Sequence, residues 1–295
     1  SDLSLSLPKI HFSNADLDID AGVRFEFADA VHMALLANID INDVANVHQY
    51  FPLNGMSSEL VTYLTQALKA GNTDDAVVVW HGAFSRYPYA QHDGIFQADF
   101  TLTNANFEFQ PTWPAVSQLN LSALFENDAM DLRVNQGQLI DVKADGAYIG
   151  IPSLGDRSLL QVKVDLATKA EAANAVIQQS PLVDSVGATL DVVQISGDIT
   201  GQIDLSIPLY DGESEVIKGT VNFKDTPVYV AEPWIQLDKV TGQLQFVNDV
   251  VTGSNLNAVM YQQPLQFSFN TKSMNKNYGV NVDLAGQWQL ADLTP

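Results

Sequence analysis

The sequence predicts a mainly β protein: one long antiparallel β-sheet, a meander, with two small helical insertions. Three observations predict it. Apolar and polar residues alternate in segment after segment, turn residues punctuate the segments, and a helical period surfaces in only two places. Residues 196–209 show the alternation best. Ile199, Ile203, Leu205, Ile207 and Leu209 share one parity, and Asp198, Gln202, Asp204 and Ser206 hold the other. Successive strand side chains point to opposite faces, so such a segment makes one greasy face and one wet face.

Residues 1–36 read as strands on the alternation of Leu3, Leu5 and Leu7, then Leu17 and Ile19, then Val23, Phe25 and Phe27. The first insertion spans about 40–71. Ile41–Val47 suits a short helix, Phe51–Gly55 a turn, and Ser57 an N-cap for a helix to Ala70 that Gly71 stops. Leu60, Leu64 and Leu68 share one face of that helix, which would cap an end or edge of the sheet rather than plug its apolar face. Strands return at Val77–Trp80 and continue through Phe96–Leu102, Phe107 and Phe109, Leu119–Phe125, Leu132 and Val134, Leu139 onward and Val162–Leu166. The second insertion spans about 168–189. Thr168-Lys169-Ala170-Glu171 matches a capping box, and the helix stops before Pro181. Strands then run to the end, carrying Val221 and Phe223, Leu244 and Phe246, Phe267 and Phe269, and Val280 to Leu284. Glycines at 94, 137, 197, 219 and 242 read as strand openers. With no linker or charge block, residues 1–295 form a single elongated unit, and a chain that opens in mid-strand reads as a fragment of something longer.

The formal charge is −21, from 14 Lys+Arg against 35 Asp+Glu. Such a surface repels phosphate backbones, which excludes nucleic acid as a natural partner. Cysteine is absent, which removes disulfides, thiolate nucleophiles and Cys-based zinc sites. The five histidines are scattered without a metal-binding motif, and the nucleophile-elbow, P-loop and dinucleotide patterns are missing. Asp16, Asp18 and Asp20 lack the spacing of a calcium loop and read as the solvent face of a strand. No catalytic residue, metal or cofactor is expected. The aromatics Phe96, Phe100, Phe107, Phe109, Trp113 and Phe125 suit a ligand-lined surface, but on the residues alone a plain sandwich core is the better account of them.

From about Phe51 to Leu209 the chain resembles the AsmA-like family of bacterial envelope proteins, in particular the central region of its YhdP branch. The matching residues are Phe51-Pro52-Leu53, Met56 leading into Leu60–Gly71, Gly82, Tyr87-Pro88-Tyr89, Gly94-Ile95-Phe96, Phe107-Glu108-Phe109-Gln110-Pro111-Thr112-Trp113-Pro114, Ser180-Pro181-Leu182 with Gly187, and Leu205–Leu209. The resemblance implies a long curled antiparallel β-sheet, an open, taco-like β-groove, whose concave apolar face takes phospholipid acyl chains between inner and outer membrane, supporting the outer-membrane barrier. It implies the periplasm of a Gram-negative bacterium, with anchoring in the inner membrane through parts missing from this chain. Residues of the apolar parity would line the groove: Phe96, Phe100, Leu102, Leu121, Phe125, Val164, Ile203, Leu205, Ile207, Phe223, Phe246, Phe267 and Phe269. Two other readings stay open at this point. One is a scaffolding envelope β-protein with a closed core; the other is an extracellular hydrolase or lectin with a polar cleft.

Overall fold

A computed structural model describes residues 3–50, 62, 65–183, 190, 193–231, 234–248, 250–274 and 277–287. Seventeen strands form one sheet. The first seven are β1 (Leu3–Ser13), β2 (Leu17–Phe27), β3 (Val31–Ile41), β4 (Leu68–Ala83), β5 (Ile95–Phe107), β6 (Val116–Glu126) and β7 (Ala129–Leu139). Then come β8 (Val142–Lys143), β9 (Tyr148–Ile151), β10 (Leu159–Lys169), helix α1 (Ala170–Gln178), β11 (Val193–Ile195) and β12 (Asp198–Pro208). The last five are β13 (Val216–Val230), β14 (Ile235–Val247), β15 (Val250–Met260), β16 (Gln263–Met274) and β17 (Asn277–Ala285).

All pairings are antiparallel, and they follow chain order from β1 to β7 and from β12 to β17. β8 and β9 follow each other along β7, and β11 and β12 follow each other along β13, so the seventeen strands fill fifteen ranks. β10 joins the two halves by pairing with β9 and β12. Among the described residues β1 pairs only with β2 and β17 only with β16, so the sheet stays open. Its accessible surface is 18088 Å². A compact monomer of 32.2 kDa would expose roughly 12,000 Å².

The meander has two unlike ends. At one, short turns and loops join β2 to β3, β4 to β5, β6 to β7, β9 to β10, β12 to β13 and β14 to β15. The other carries both helical insertions, and there the strands bulge. Each of β5, β6, β13, β14 and β15 slips its register around one polar residue with a left-handed backbone: Asn104 (φ 51°), Gln118 (50°), Asp225 (55°), Lys239 (50°) and Asn255 (53°). β8 and β9 are separated at the same level by Ala144–Ala147, and β11 and β12 by Ser196-Gly197. A bulge bends its strand and increases the local twist. The bulges are therefore aligned across neighbouring strands, as two creases.

Two clusters of buried apolar residues sit at these creases. One cluster joins Leu102, Ala105, Leu119, Leu121, Ala123 and Val134, with Val44 of the 3₁₀ turn Val44–Tyr50 against it. The other joins Phe223, Val228, Val240, Leu256 and Ala258, with Val240 and Leu256 each only 1% exposed. Each non-glycine left-handed residue costs about 1–2 kcal/mol, and burial of the clusters offsets it.

Four local expectations are corrected. The helix expected to reach Ala70 gives way to β4 at Leu68, because Leu68 pairs with Phe107 and Ala70 with Asn106. Thr62 and Thr65–Ala67 are helical, while Ser57–Val61 and Tyr63–Leu64 lie outside the described residues. Thr168 caps nothing: β10 continues through Lys169, which pairs with Asp198, and Glu171 instead accepts a hydrogen bond from the Gly197 amide (3.1 Å). Asp16 is not on the strand face. It lies in the turn before β2, where it accepts from the Tyr50 hydroxyl (2.8 Å) and from Asn46 Nδ2 (3.0 Å), tying down the 3₁₀ turn. Gly137, Gly219 and Gly242 lie inside strands instead of opening them.

Two predictions follow from the creases. Leu256→Ala should lower stability by about 3 kcal/mol in denaturant titration, and Leu205→Ala, at a half-exposed position, by about 1 kcal/mol. The second concerns Asp75, which accepts from the Thr101 amide (2.8 Å) and the Thr73 hydroxyl (3.0 Å) at the β4 irregularity. Burial raises its pKa, but these hydrogen bonds outweigh burial and hold the carboxyl below the usual range. A lowered folded-state pKa contributes stability that is complete above the unfolded value near 4 and fades as pH falls through the folded one. Acid unfolding followed by circular dichroism should lose that increment below about pH 4, and Asp75→Asn should flatten the loss.

Candidate functional site

Paired residues of neighbouring strands lie on the same face of a sheet. An unbroken line of pairs runs Leu7–Val23–Leu35–Trp80–Phe96 across β1 to β5. It is continued by Ala98–Phe125–Met130–Ile151 into β9. Ile149–Val162–Leu205–Ile217 carries the same face into β13, Gly219–Phe246–Val251 into β15, and Gly253–Phe269–Val282 to β17. Among the described residues that the pairing puts on this face there is no Asp, Glu, Lys, Arg or His. The opposite face carries Asp18, Asp20, Arg24 and Glu26 on β2 and Asp165, Asp204 and Lys218 on β10, β12 and β13. Fifteen ranks at the usual strand spacing make this apolar band roughly 65 Å long.

All thirteen groove candidates named from the sequence fall on this one face. Leu102, Leu121 and Phe223 are buried beside the creases. Phe96, Phe100, Phe125, Val164, Ile203, Leu205, Ile207, Phe246, Phe267 and Phe269 are half-buried, and none is fully exposed. A sandwich core would have sealed them beneath a second layer; no other sheet is present among the described residues. Sequence reasoning missed the share that β1 to β4 contribute, including Leu35, Val78 and Trp80. The signal is weak there because Val77, Val78, Val79 and Trp80 are all apolar, so only pairing tells the faces apart. It also missed Ala105, Val240 and Leu256, which lie beyond a bulge.

The floor is smoothed by rings lying over glycines. Phe246 is paired with Gly219 and Phe269 with Gly253, and a Cβ on either glycine would collide with the ring opposite. At the hairpin end Tyr89, 1% exposed, lies across Gly82 and Gly94. Trp80 packs around it with Phe84, Tyr87 and Phe96 at centroid distances of 5.3–6.0 Å. The Gly82, Tyr87-Pro88-Tyr89 and Gly94-Ile95-Phe96 motifs are therefore parts of one aromatic knot. Among the described residues the Tyr89 hydroxyl and the Trp80 indole N–H are buried without a well-formed partner. Burial pushes the Tyr89 hydroxyl pKa up.

The polar chemistry is sparse. His11 Nδ1 lies 3.2 Å from Asp20 and 3.8 Å from Asp18, an exposed trio on the outer face created by the His11–Asp20 cross-strand pair. The sequence hid it because β1 and β2 must pair before these residues meet. A cavity of about 690 Å³ at the helical end is lined by Asp141, Lys143, Lys169, Glu171 and Asp198 beside α1. No helix among the described residues is long and apolar enough to cross a membrane.

An open sheet with one continuous, charge-free and half-exposed apolar face defines an open-groove β-protein. The chain belongs to the YhdP family, whose model, described as YhdP protein, matches residues 1–295. It is 34% identical over 263 residues to the intermembrane phospholipid transporter YhdP of Escherichia coli (strain K12), an alignment covering 89% of this chain and 21% of that relative. The chain thus spans about a fifth of the length of the curated relative it matches. No solved structure matches.

The knot gives a direct test of its packing. Gly94→Ala should cost about 2–3 kcal/mol in chemical denaturation, because the sealed Tyr89 ring has nowhere to move.

Proposed function

We propose that this chain is a lipid-conducting segment of a periplasm-spanning envelope protein, along whose apolar face phospholipid acyl chains slide between the inner and outer membranes. The observation that carries the reading is the charge-free band crossing all fifteen ranks, with no second layer over it among the described residues. The printed name of the Escherichia coli relative supports the same substrate class. Each buried methylene contributes ~0.8 kcal/mol, so a 16-carbon chain gains on the order of 10 kcal/mol from a dry apolar surface. Successive positions along the band offer nearly the same environment, so a chain moves along it without a deep trap. The headgroup stays in water at the open side, and no catalytic group takes part. Membrane anchoring and contact with both bilayers belong to parts of the longer protein outside this chain, and through them the segment supports the outer-membrane barrier.

Native mass spectrometry with lipid extraction, on protein purified without detergent, should find phospholipid bound. Leu205→Asp and Phe100→Arg should each reduce it at least tenfold while the strand signal in circular dichroism persists, since an isolated charge is excluded from an apolar site. Asp204→Arg, on the outer face, should leave lipid content unchanged. A lipid-free wild-type protein that also refuses a photo-crosslinkable acyl chain would overturn the reading in favour of a scaffold.

A further inference from the structure

The two long sides of the sheet are not equivalent. The helical end is hemmed: its strands bend at the creases, and their apolar residues are sealed there against each other. At the hairpin end the strands stay straight and the loops are tied sideways into a continuous lip. The Tyr87 hydroxyl donates to the Asn127 carbonyl (2.8 Å), the Leu154 amide to the Asp128 carbonyl (2.5 Å) and the Leu209 amide to the Ser158 carbonyl (2.9 Å). Asn248 closes the same lip over β13, exchanging hydrogen bonds with the Ile217 backbone at 2.7 and 2.9 Å.

This lip presents two kinds of group together. Large apolar side chains stand in water along it: Phe84 (44% exposed), Tyr87 (42%), Leu154 (41%) and Leu209 (53%). Beside them stand two of the four arginines of the chain. Each has a carboxylate partner, Arg86 with Asp93 (2.5 Å) and Arg157 with Glu213 (2.8 Å). Arg157 also lies over the Tyr210 ring, 5.1 Å from its centroid. The other two arginines, Arg24 and Arg133, also pair with carboxylates, Glu26 and Asp131, but on the outer faces of β2 and β7, away from the lip's exposed apolar side chains. Exposed ion pairs contribute little to stability, so holding up the fold does not account for this placement.

We infer that the hairpin lip is the headgroup side of the groove and that its arginine–carboxylate pairs receive zwitterionic phospholipid headgroups bearing a primary ammonium. The inference rests on the lipid-conducting reading above. The planar guanidinium fork suits a phosphodiester. The neighbouring carboxylate suits the ammonium, and the exposed apolar side chains meet the glycerol end of the acyl chains. A pair of opposite charges matches a headgroup of opposite charges. In a chain of net charge −21, a purely anionic headgroup meets repulsion that a zwitterion avoids.

The test places a photoreactive residue at Leu154 or Leu209 on the lip, and at Trp234 or Tyr261 at the helical end, where both are exposed. Each variant is incubated with phosphatidylethanolamine vesicles, and lipid adducts are read by mass spectrometry. The lip positions should capture phosphatidylethanolamine at least fivefold more than the helical-end positions; equal or reversed labelling overturns the inference. Arg86→Gln with Arg157→Gln should lower the ratio of bound phosphatidylethanolamine to phosphatidylglycerol at least threefold, taken from vesicles holding equal amounts. Since these side chains are 63% and 75% exposed, the melting temperature should hold. An unchanged ratio also overturns it. A photoreactive acyl chain crosslinked from the groove serves as the reference. If it labels Leu205 while the lip fails, only the headgroup assignment falls; if it labels nothing, the conducting reading falls with it.

Discussion

Register is the constraint on which this structure depends. A strand's side chains alternate with a period of two, so a slip of one residue turns the whole apolar set outward. Yet β5, β6, β13, β14 and β15 each carry a bulge, and each bulge is such a slip. The sequence compensates at each one. On β5 the apolar positions run Phe96, Ala98, Phe100, Leu102 and then jump to Ala105 and Phe107 around Asn104. On β15 they run Val251, Gly253 and then Leu256, Ala258 around Asn255. Each jump of three restores the apolar face, and the residue at its centre is polar.

The division of labour between the two ends follows from those jumps. Bending seals Leu102, Ala105 and Leu119 in one crease and Val240 and Leu256 in the other. These clusters, together with the hydrogen-bond ladders, hold a sheet whose middle is left half-covered. An apolar band that wide would be a liability on its own, and the acidic outer face keeps the chain in solution. Rings laid over Gly219 and Gly253 trade standing side chains for a flat floor. The open β1 and β17 edges expose Leu3, Leu5, Val280 and Val282, so the apolar band runs out to both rims of the sheet.

Much of this was legible in the residues. Period-two alternation identified the sheet, the positions of both insertions and one apolar face, and all thirteen groove candidates proved to share that face. They did so because each belongs to an alternating run that no bulge interrupts. Legibility failed where local and long-range signals conflict. Leu68 fits a helical stripe, but pairing with Phe107 makes it strand. Thr168 fits a capping box, but pairing with Ile199 does the same. Asp16 fits a strand face, but Tyr50, thirty-four residues away, holds it in a turn.

The amino-acid order alone determined that most strands have one greasy side and one wet side, because alternation is a local property of the backbone. It also determined the net charge of −21 and the lack of catalytic motifs. Tertiary structure decided that the greasy sides join into one open band instead of closing as a sandwich. It decided where that band bends, and that Arg86 and Arg157 stand on the same lip. Those outcomes depend on which strands pair and at what offset, and such contacts form between residues that the sequence keeps far apart.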